Sequence, residues 1–284
     1  MMSGRFITVY TPDSSLASPL RMIRMMFRDL AASRSLGWRL AVRELSAQYR
    51  QSLFGFLWAL IIPLANAVVW IFLSRSGIVK VADTGLPYPV YVFVGTMLWG
   101  IFMDALNAPL QITTVAKPML AKINFTRESL VLAGIYQTLF SAAIKVALMF
   151  AALVLMGILP GWVLLLFPFG ILSLILVGTV IGLLLTPLGI LYSDVGRAIP
   201  LLAQFLMYAT PVVFPMPKSG WGAVLFQCNP LTPLILTARD WIVGLPNTNL
   251  GYFLAVNLAT MALLLIVWAM YRLAMPILIE RMSA

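Results

Sequence analysis

The sequence has no histidine and only one cysteine, Cys228, among its 284 residues. These absences exclude an intrachain disulfide and a zinc site built from cysteine or histidine ligands. Aspartate and glutamate are also scarce, since only nine occur and they are scattered. The motifs GxxxxGK[ST], HExxH and GxSxG, which mark phosphate loops, zinc proteases and serine hydrolases, do not occur. The sequence therefore predicts no enzyme, and no cofactor or metal ion in this chain.

Charge of either sign is rare. Charged residues make up 10% of the chain and hydrophobic residues 62%, a balance that is not typical of a water-soluble domain. The net charge of +10 could indicate nucleic-acid binding. However, the basic residues stand between apolar runs instead of gathering on one face, which favours anionic membrane lipid as their partner. The composition predicts an integral membrane protein that binds no nucleic acid.

A basic amphipathic segment leads directly into the first long apolar run. Its apolar positions recur at helical spacing and are Trp38, Val42, Leu45 and Tyr49. The polar positions beside them are Arg39, Arg43, Ser46 and Arg50. Such a helix lies in the plane of a membrane surface, with its arginines among anionic head groups. From Leu53 to Leu73 the chain carries no charge and spans about 31 Å as a helix, enough to cross the hydrocarbon core.

Further apolar runs of membrane-spanning length follow the first. The predicted spans are residues 53–73, 91–112, 130–159, 162–191, 198–214 and 252–271. Residues 216–250 are broken by prolines, which favours short re-entrant helices outside the membrane core, dipping part way into the outer leaflet. The predicted fold is thus an all-α integral membrane protein of six transmembrane helices. It consists of a flexible cytoplasmic tail (1–20), a basic interfacial region (21–52) and a transmembrane domain (53–284).

The distribution of basic residues predicts the topology. With six spans both termini lie on one side, and that side holds fourteen of the nineteen lysines and arginines. The opposite side holds four, and Lys145 lies inside a span. Because positive charge is retained in the cytoplasm, both termini are predicted to be cytoplasmic. The expected location is the inner membrane of a bacterium.

Two charges fall inside predicted spans, Asp104 and Lys145. Intramembrane charges face a cavity or pair with one another, so these two are a candidate ion pair or a proton or ion relay. The alternative for Lys145 is a lysine whose long side chain reaches toward the membrane edge. A proton-coupled transporter would need more such groups and shows internal repeats, which are not evident here.

Four segments resemble the permease subunits of ABC transporters that export polysaccharide, such as O-antigen, capsule or teichoic acid. They are RELSAQYRQSLFGFLWALIIPL at 43–64, LAKINFTRESL at 120–130, YSDVGRAIPLLAQFLMYATPVVFP at 192–215 and NPLTPLILTARD at 229–240. In the first, the matching residues are Arg43, Tyr49, Arg50, Ser52, Gly55, Trp58 and Pro63. In the third, Asp194, Pro211 and Pro215 match. Thr126 departs from the family pattern, in which a proline is common at this point.

The resemblance implies a homodimer that works with two cytoplasmic ATPase subunits, which bind ATP and Mg²⁺. The substrate would be a lipid-linked glycan, moved outward through a pore between the two copies. A drug or small-lipid exporter of the same superfamily is the alternative, and the interfacial helix favours the glycan because a lipid-linked substrate is presented at that surface. A membrane scaffold without transport activity is the alternative from another class.

The segment from Lys117 to Glu128 is predicted to couple the ATPase to the membrane. Proline at position 118 favours a break in the incoming helix, so that MLAKINF forms a short separate helix along the membrane face. An aromatic side chain surrounded by charges suits a small docking site. The predicted contact residues are Lys117, Lys122, Phe125, Arg127 and Glu128. The turn YSDVGR, with Asp194 and Arg197, is the second predicted cytoplasmic contact.

Overall fold

The computed structural model describes residues 19–50, 54–77, 85–120, 126–158, 161–217, 219–247 and 249–283. These ranges are helical and contain no strand. The helices are α1 (Pro19–Ala32), α2 (Arg34–Arg50), α3 (Trp58–Arg75), α4 (Tyr88–Leu120), α5 (Glu128–Leu155), α6 (Phe167–Leu191), α7 (Ser193–Tyr208), α8 (Trp221–Cys228), α9 (Leu231–Val243) and α10 (Leu250–Ser283). Short 3-10 turns, Gly55–Leu57 and Trp162–Leu166, precede α3 and α6.

Four helices are long and apolar enough to cross a membrane: α4, α5, α10, and α6 together with its preceding turn. The protein is therefore a multi-pass α-helical membrane protein. The remaining two predicted spans correspond to α3 and α7, which have 18 and 16 residues. The predicted external helices between spans five and six correspond to α8 and α9.

Helix α4 is the centre of the bundle, since most of its residues are buried, whereas α5 and α10 keep most of theirs on the outside. Its closest neighbour is α6, which approaches through Gly178 and Gly182. A Cβ added at Gly178 would lie 2.7 Å from the Ala105 Cβ, and one at Gly182 would overlap the Leu106 carbonyl. This is the G-x-x-x-G arrangement by which small residues let two membrane helices pack backbone to backbone.

The interfacial region forms two helices instead of one, because the chain turns at Ser33 between α1 and α2. Helix α2 packs on α5 through Gly37, Leu40 and Ala41, which are buried. The predicted apolar stripe is on another face: Trp38 and Val42 are exposed, as lipid contact requires. The side chain of Tyr49 lies outside the described residues, as does the tail before residue 19.

Two predicted breaks are wrong. Helix α4 continues through Pro118 to Leu120, because a proline in the last turn removes one backbone hydrogen bond where the helix is about to end. The segment YSDVGR is not a turn, since α7 begins at Ser193 and only Tyr192 is extended. A polar first turn is common in helices, where side chains and water satisfy the free N–H groups.

On the side of α8 and α9, a buried arginine connects three parts of the chain. The Arg239 guanidinium stacks on the Tyr91 ring, with its carbon 3.7 Å from the ring centroid, and donates to the Val212 carbonyl over 3.0 Å. The Tyr91 hydroxyl donates to the Pro211 and Phe214 carbonyls. Gly95 is required here, because a Cβ would overlap the Val212 carbonyl. Arg239 of the predicted re-entrant region is thus a packing element.

Candidate functional site

The two intramembrane charges, Asp104 and Lys145, lie together between α4 and α5. The Lys145 ammonium forms an ion pair with the Asp104 carboxylate and donates to the Ser141 hydroxyl over 3.0 Å and to the Gly100 carbonyl over 3.3 Å. Ser141 in turn donates to Asp104. The Lys145 side chain is 9% exposed and that of Asp104 36% exposed. The lysine is therefore held inside the bundle, while the carboxylate keeps a free side toward a cavity.

That cavity, named here the first cavity, has a volume of about 750 Å³. Asp104, Ser141 and Lys145 form part of its wall. Its aromatic side chains come from α3, α4 and α7 and are Trp58, Trp70, Trp99 and Tyr208. Trp70 is fixed by an edge-to-face contact with Phe214, with ring centroids 5.2 Å apart. The first cavity thus combines an ion pair and a serine hydroxyl with aromatic rings, at the depth of the bundle where a membrane protein is otherwise apolar.

A second cavity of about 870 Å³ adjoins the first at Gln48, which lines both. Its polar lining comes from the ends of α2, α4, α5 and α7 and includes Glu44, Gln111, Thr114, Lys117, Gln137 and Ser193. Along α4 the two cavities extend from Thr96 to Lys117, about 31 Å at 1.5 Å per residue. This equals the thickness of the hydrocarbon core of a bilayer. We call the two cavities together the polar groove.

The glutamines of the polar groove were not recognised as site residues from the sequence. Gln137, Ser141 and Lys145 are four residues apart and therefore share one face of α5. Gln111 follows Asp104 by seven residues and lies on the same face of α4. Polar residues at helical spacing inside an apolar run are a readable signal. Of these residues, only the charged Asp104 and Lys145 are predicted from the sequence.

Of the predicted coupling residues, Lys117 and Glu128 make contacts inside the bundle. The Lys117 ammonium donates to the Ile190 carbonyl over 3.1 Å, at the C-terminal end of α6, where a cation is favoured by the helix dipole. The Glu128 side chain is 7% exposed. Arg127 is half-buried. Lys122 and Phe125 lie outside the described residues, so docking by this segment stays a prediction.

Glu128 belongs to a charged cluster that joins three helices. Arg272 of α10 contacts Glu128 at 3.0 Å and Asp29 of α1 at 2.6 Å. Ser33 and Thr126 share a hydrogen bond of 2.5 Å beside it. One arginine therefore ties the surface helix α1, the first turn of α5 and the end of α10, next to the segment predicted for coupling.

The other predicted residues are exposed. Asp194 and Arg197 form a 3.8 Å pair on the first turn of α7, with side chains 89% and 82% exposed. Arg39 and Arg50 are exposed on α2. Arg43 is also exposed, and its guanidinium lies 3.1 Å from the Met119 sulfur. These positions are accessible, and their predicted roles are not tested by the structure.

The polar groove offers amide, carboxylate, ammonium and hydroxyl groups beside aromatic faces. Rings of tryptophan and tyrosine stack on sugar rings, and the polar groups can donate to or accept from hydroxyls. Within the described ranges no cluster of histidine, cysteine or acidic residues could hold a metal ion. The fold and the groove define a multi-pass membrane protein with a polar path beside its central helix.

Comparison with known proteins identifies relatives of one kind, although no family model matches the chain. The chain is 26% identical over 218 residues to the O-antigen export system permease protein RfbA of Myxococcus xanthus, covering 75% of this chain and 82% of that one. Two proteins of the same name from Klebsiella pneumoniae are 24% and 23% identical. They align with 74% and 70% of this chain and with 80% and 76% of their own.

These comparisons confirm the resemblance that was read from the four segments. The relatives are transport permeases, and the apolar helices of this chain agree with that class. The chain is accordingly similar, over about three quarters of its length, to the membrane subunits of O-antigen export systems.

Proposed function

We propose that the chain is the transmembrane subunit of an ATP-driven exporter that moves a lipid-linked, O-antigen-like polysaccharide from the cytoplasmic to the outer face of the bacterial inner membrane. The observation that carries the proposal is the polar groove, whose two adjoining cavities follow α4 over about 31 Å. The names of the relatives supply the substrate class.

The lining of the groove suits a long glycan. Trp58, Trp99 and Tyr208 can stack on sugar rings without demanding one sequence of sugars, and the glutamines can bond successive hydroxyls. In the first cavity Asp104 and Lys145 compensate each other's charge, so that a neutral sugar chain meets hydrogen-bonding groups there without a deep electrostatic trap. A small apolar drug would gain little from such a lining, so the glycan is favoured over the drug exporter.

The complete exporter would be a homodimer. The first cavity is lined by α3 and α7, and both helices carry exposed apolar side chains beside it, among them Phe72 and Phe205, each 66% exposed. A second copy placed against α3 and α7 would cover these side chains and bring two grooves face to face. All six predicted spans, including α3 and α7, would then cross the membrane, with both termini in the cytoplasm.

Energy would come from two cytoplasmic ATPase subunits. Docking is proposed at the segment from Lys117 to Glu128, with Phe125 as the aromatic anchor, and at Asp194 and Arg197. The Arg272 cluster supports this placement, because movement of residues 121–127 would act on the first turn of α5 and on α10 through Glu128. Removing the aromatic anchor (Phe125→Ala) should weaken ATPase binding by about 2 kcal/mol, measured by copurification.

The test is complementation of a bacterial strain that lacks this chain, followed by fractionation of its glycans. The strain should have an undecorated surface and lipid-linked polymer trapped inside. Gln137 lines the second cavity and Gln204 of α7 lines the first. A chain carrying Gln137→Leu and Gln204→Leu should restore export at least about tenfold less well than the unmodified chain, because each lost hydrogen bond contributes about 1 kcal/mol.

The matched control is Gln227→Leu, an exposed glutamine on α8 that does not line the groove. It should export normally. If the double variant exports as well as this control at equal abundance, the polar groove is not the path of the glycan. If the deleted strain retains a decorated surface and no trapped polymer, the proposed substrate is wrong.

A further inference from the structure

A second, chemically different cleft lies on the other side of the bundle. It has a volume of about 510 Å³ and is formed by α5, α6 and α10, with Leu30 of α1 at one end. Its wall is mostly aliphatic and aromatic, from residues such as Ile135, Leu172, Leu176, Leu254 and Trp268. We call it the apolar crevice.

The polar residues in the apolar crevice are turned to their own helices. Ser173 donates to the Phe169 carbonyl over 2.7 Å, and Asn257 donates to the Phe253 carbonyl over 2.8 Å. Their hydrogen-bonding capacity is therefore largely used within the helix. A ligand of this crevice must be hydrocarbon for most of its length.

The length of the crevice is that of a lipid chain. At 1.5 Å per residue it follows α6 for about 21 Å, from Phe169 to Leu183, and α10 for about 23 Å, from Phe253 to Trp268. This is longer than one leaflet of a 30 Å hydrocarbon core, so an extended acyl chain fits without leaving the crevice.

A cationic cavity of about 580 Å³ adjoins the crevice at its α1 end. It is lined by Ala31, Arg34, Ser35, Trp38 and Tyr136, and the neighbouring residues Leu30 and Ile135 line the crevice itself. Trp38 and Tyr136 form an edge-to-face pair with centroids 5.6 Å apart. Arg34 is exposed and has no ion-pair partner in the part of the chain that the structure describes.

Trp268 joins the wall of the crevice to α1. The residue is only 6% exposed, and its ring is held by an edge-to-face contact with Phe27 of α1, with centroids 5.5 Å apart. The crevice and the first interfacial helix are therefore packed against each other at this end.

We propose that the apolar crevice and the cationic cavity form one binding site for an anionic membrane phospholipid. An acyl chain fills the crevice between α6 and α10. The phosphate lies at Arg34 beside Trp38 and Tyr136. Because α1 and α2 supply the head-group end, the bound lipid anchors the interfacial helices to the bundle. The site is separate from the polar groove, whose side chains line neither of these two cavities.

The experiment is native mass spectrometry of the full-length protein titrated with phosphatidylglycerol or with phosphatidylcholine of the same acyl chains. The unmodified protein should retain phosphatidylglycerol better, by about fivefold, since one arginine contributes about 1 kcal/mol toward an anionic lipid. Leu254→Trp, which fills the crevice from an exposed position, should lower retention of both lipids about tenfold or more, because each displaced CH₂ is worth about 0.8 kcal/mol. Arg34→Gln should remove the preference and keep basal retention.

Two matched controls lie close by. Leu258→Trp is on α10, one turn from Leu254, at a 71% exposed position outside the crevice, and should bind lipid normally. Arg28→Gln removes an arginine whose side chain is 78% exposed and outside both cavities, and should keep the preference. If the two tryptophan variants retain lipid equally, the acyl chain does not bind in the crevice. If the unmodified protein retains the two lipids equally, the head-group site does not select an anionic lipid. Copurification of a lipid-linked glycan that Leu254→Trp removes would overturn the assignment to phospholipid.

Discussion

The cavities on the two sides of the helix bundle differ in chemistry. The polar groove between α3, α4, α5 and α7 carries charges, amides and hydroxyls, whereas the apolar crevice between α5, α6 and α10 carries almost none. Helix α5 contributes to both, with Gln137 and Ser141 on one face and Val131 and Ile135 on another. A membrane helix can thus separate a hydrophilic path from the lipid by its own periodicity.

The comparison depends on α6, which stands between the two sides. Its small residues Gly178 and Gly182 meet α4, and its outer face lines the crevice.

The largest effect is expected from Gly182→Leu. A side chain here overlaps the Leu106 carbonyl and separates α6 from α4, so the crevice and the second cavity, both of which α6 lines, are disturbed. The expected destabilisation is about 3 kcal/mol or more, at the upper end of overpacking. The measurement is thermal unfolding in detergent. Gly196→Ala is the control, because nothing lies near its Cβ and alanine favours a helix by about 1 kcal/mol. Equal losses from both variants would contradict the close α4–α6 packing.

Replacing Lys145 by methionine should damage only the polar side. It leaves the Asp104 carboxylate without its cation, at an expected cost of about 2 kcal/mol, less than for a fully buried pair because Asp104 is partly exposed. The double variant Asp104→Asn with Lys145→Met should recover most of the loss. The measurement is a double-mutant cycle on thermal stability. Additive losses would mean that the pair contributes no coupling.

At the α1 end of the crevice, Arg272→Met should leave Glu128 and Asp29 without their shared cation. We expect a loss of about 1.5 kcal/mol, because charge-assisted hydrogen bonds contribute 1.5–3 kcal/mol each and water can reach this partly exposed site. Arg272→Lys should recover part of the loss but not reproduce both contacts. Unfolding followed by tryptophan fluorescence checks the order. A stability equal to that of the unmodified protein would show that the cluster holds nothing together.

The smallest effect per residue is expected from the arginines of α2, which lines the polar groove through Gln48 and the cationic cavity through Trp38. Replacing Arg39, Arg43 and Arg50 by glutamate should remove about 1 kcal/mol of lipid attraction per residue and reduce export while the protein stays inserted. The check is export at equal membrane abundance, with binding of α2 peptides to anionic vesicles as a second measurement. Normal export by the triple variant would mean that α2 does not work at an anionic surface.

Local features of the chain were predictable where a strong pattern carried them. The apolar runs predicted spans that match α4, α5, α6 and α10 within a few residues at most ends, and the prolines of 216–250 predicted short helices, found as α8 and α9. Helix ends were less predictable. Pro118 and YSDVGR predict breaks, but α4 continues to Leu120 and α7 begins at Ser193. Terminal helix turns have unpaired backbone N–H or C=O groups in any case, so a proline or a polar residue is tolerated there.

Partners of polar side chains could not be predicted with the same success. Glu128 reads as a surface charge, yet it is buried on Arg272, 144 residues later. Arg239 lies in the predicted re-entrant region, and nothing in the sequence indicates that it stacks on Tyr91. The Asp104–Lys145 pair was a candidate only because both residues interrupt spans, a signal that the uncharged glutamines of the groove do not give.

The sequence alone determined that this protein lies in a membrane as a bundle of helices, because hydrophobicity and backbone hydrogen bonding leave no other structure to runs of that length. It also predicted the basic helix α2, and it carried the similarity to O-antigen export permeases. Only the tertiary structure decided that Gly178 and Gly182 face α4, that the polar faces of α4, α5 and α7 meet in one groove, and that the apolar faces of α6 and α10 leave a crevice. The reason is that each of these depends on how helices rotate and pack against partners distant in the chain, which periodicity along a single helix does not specify.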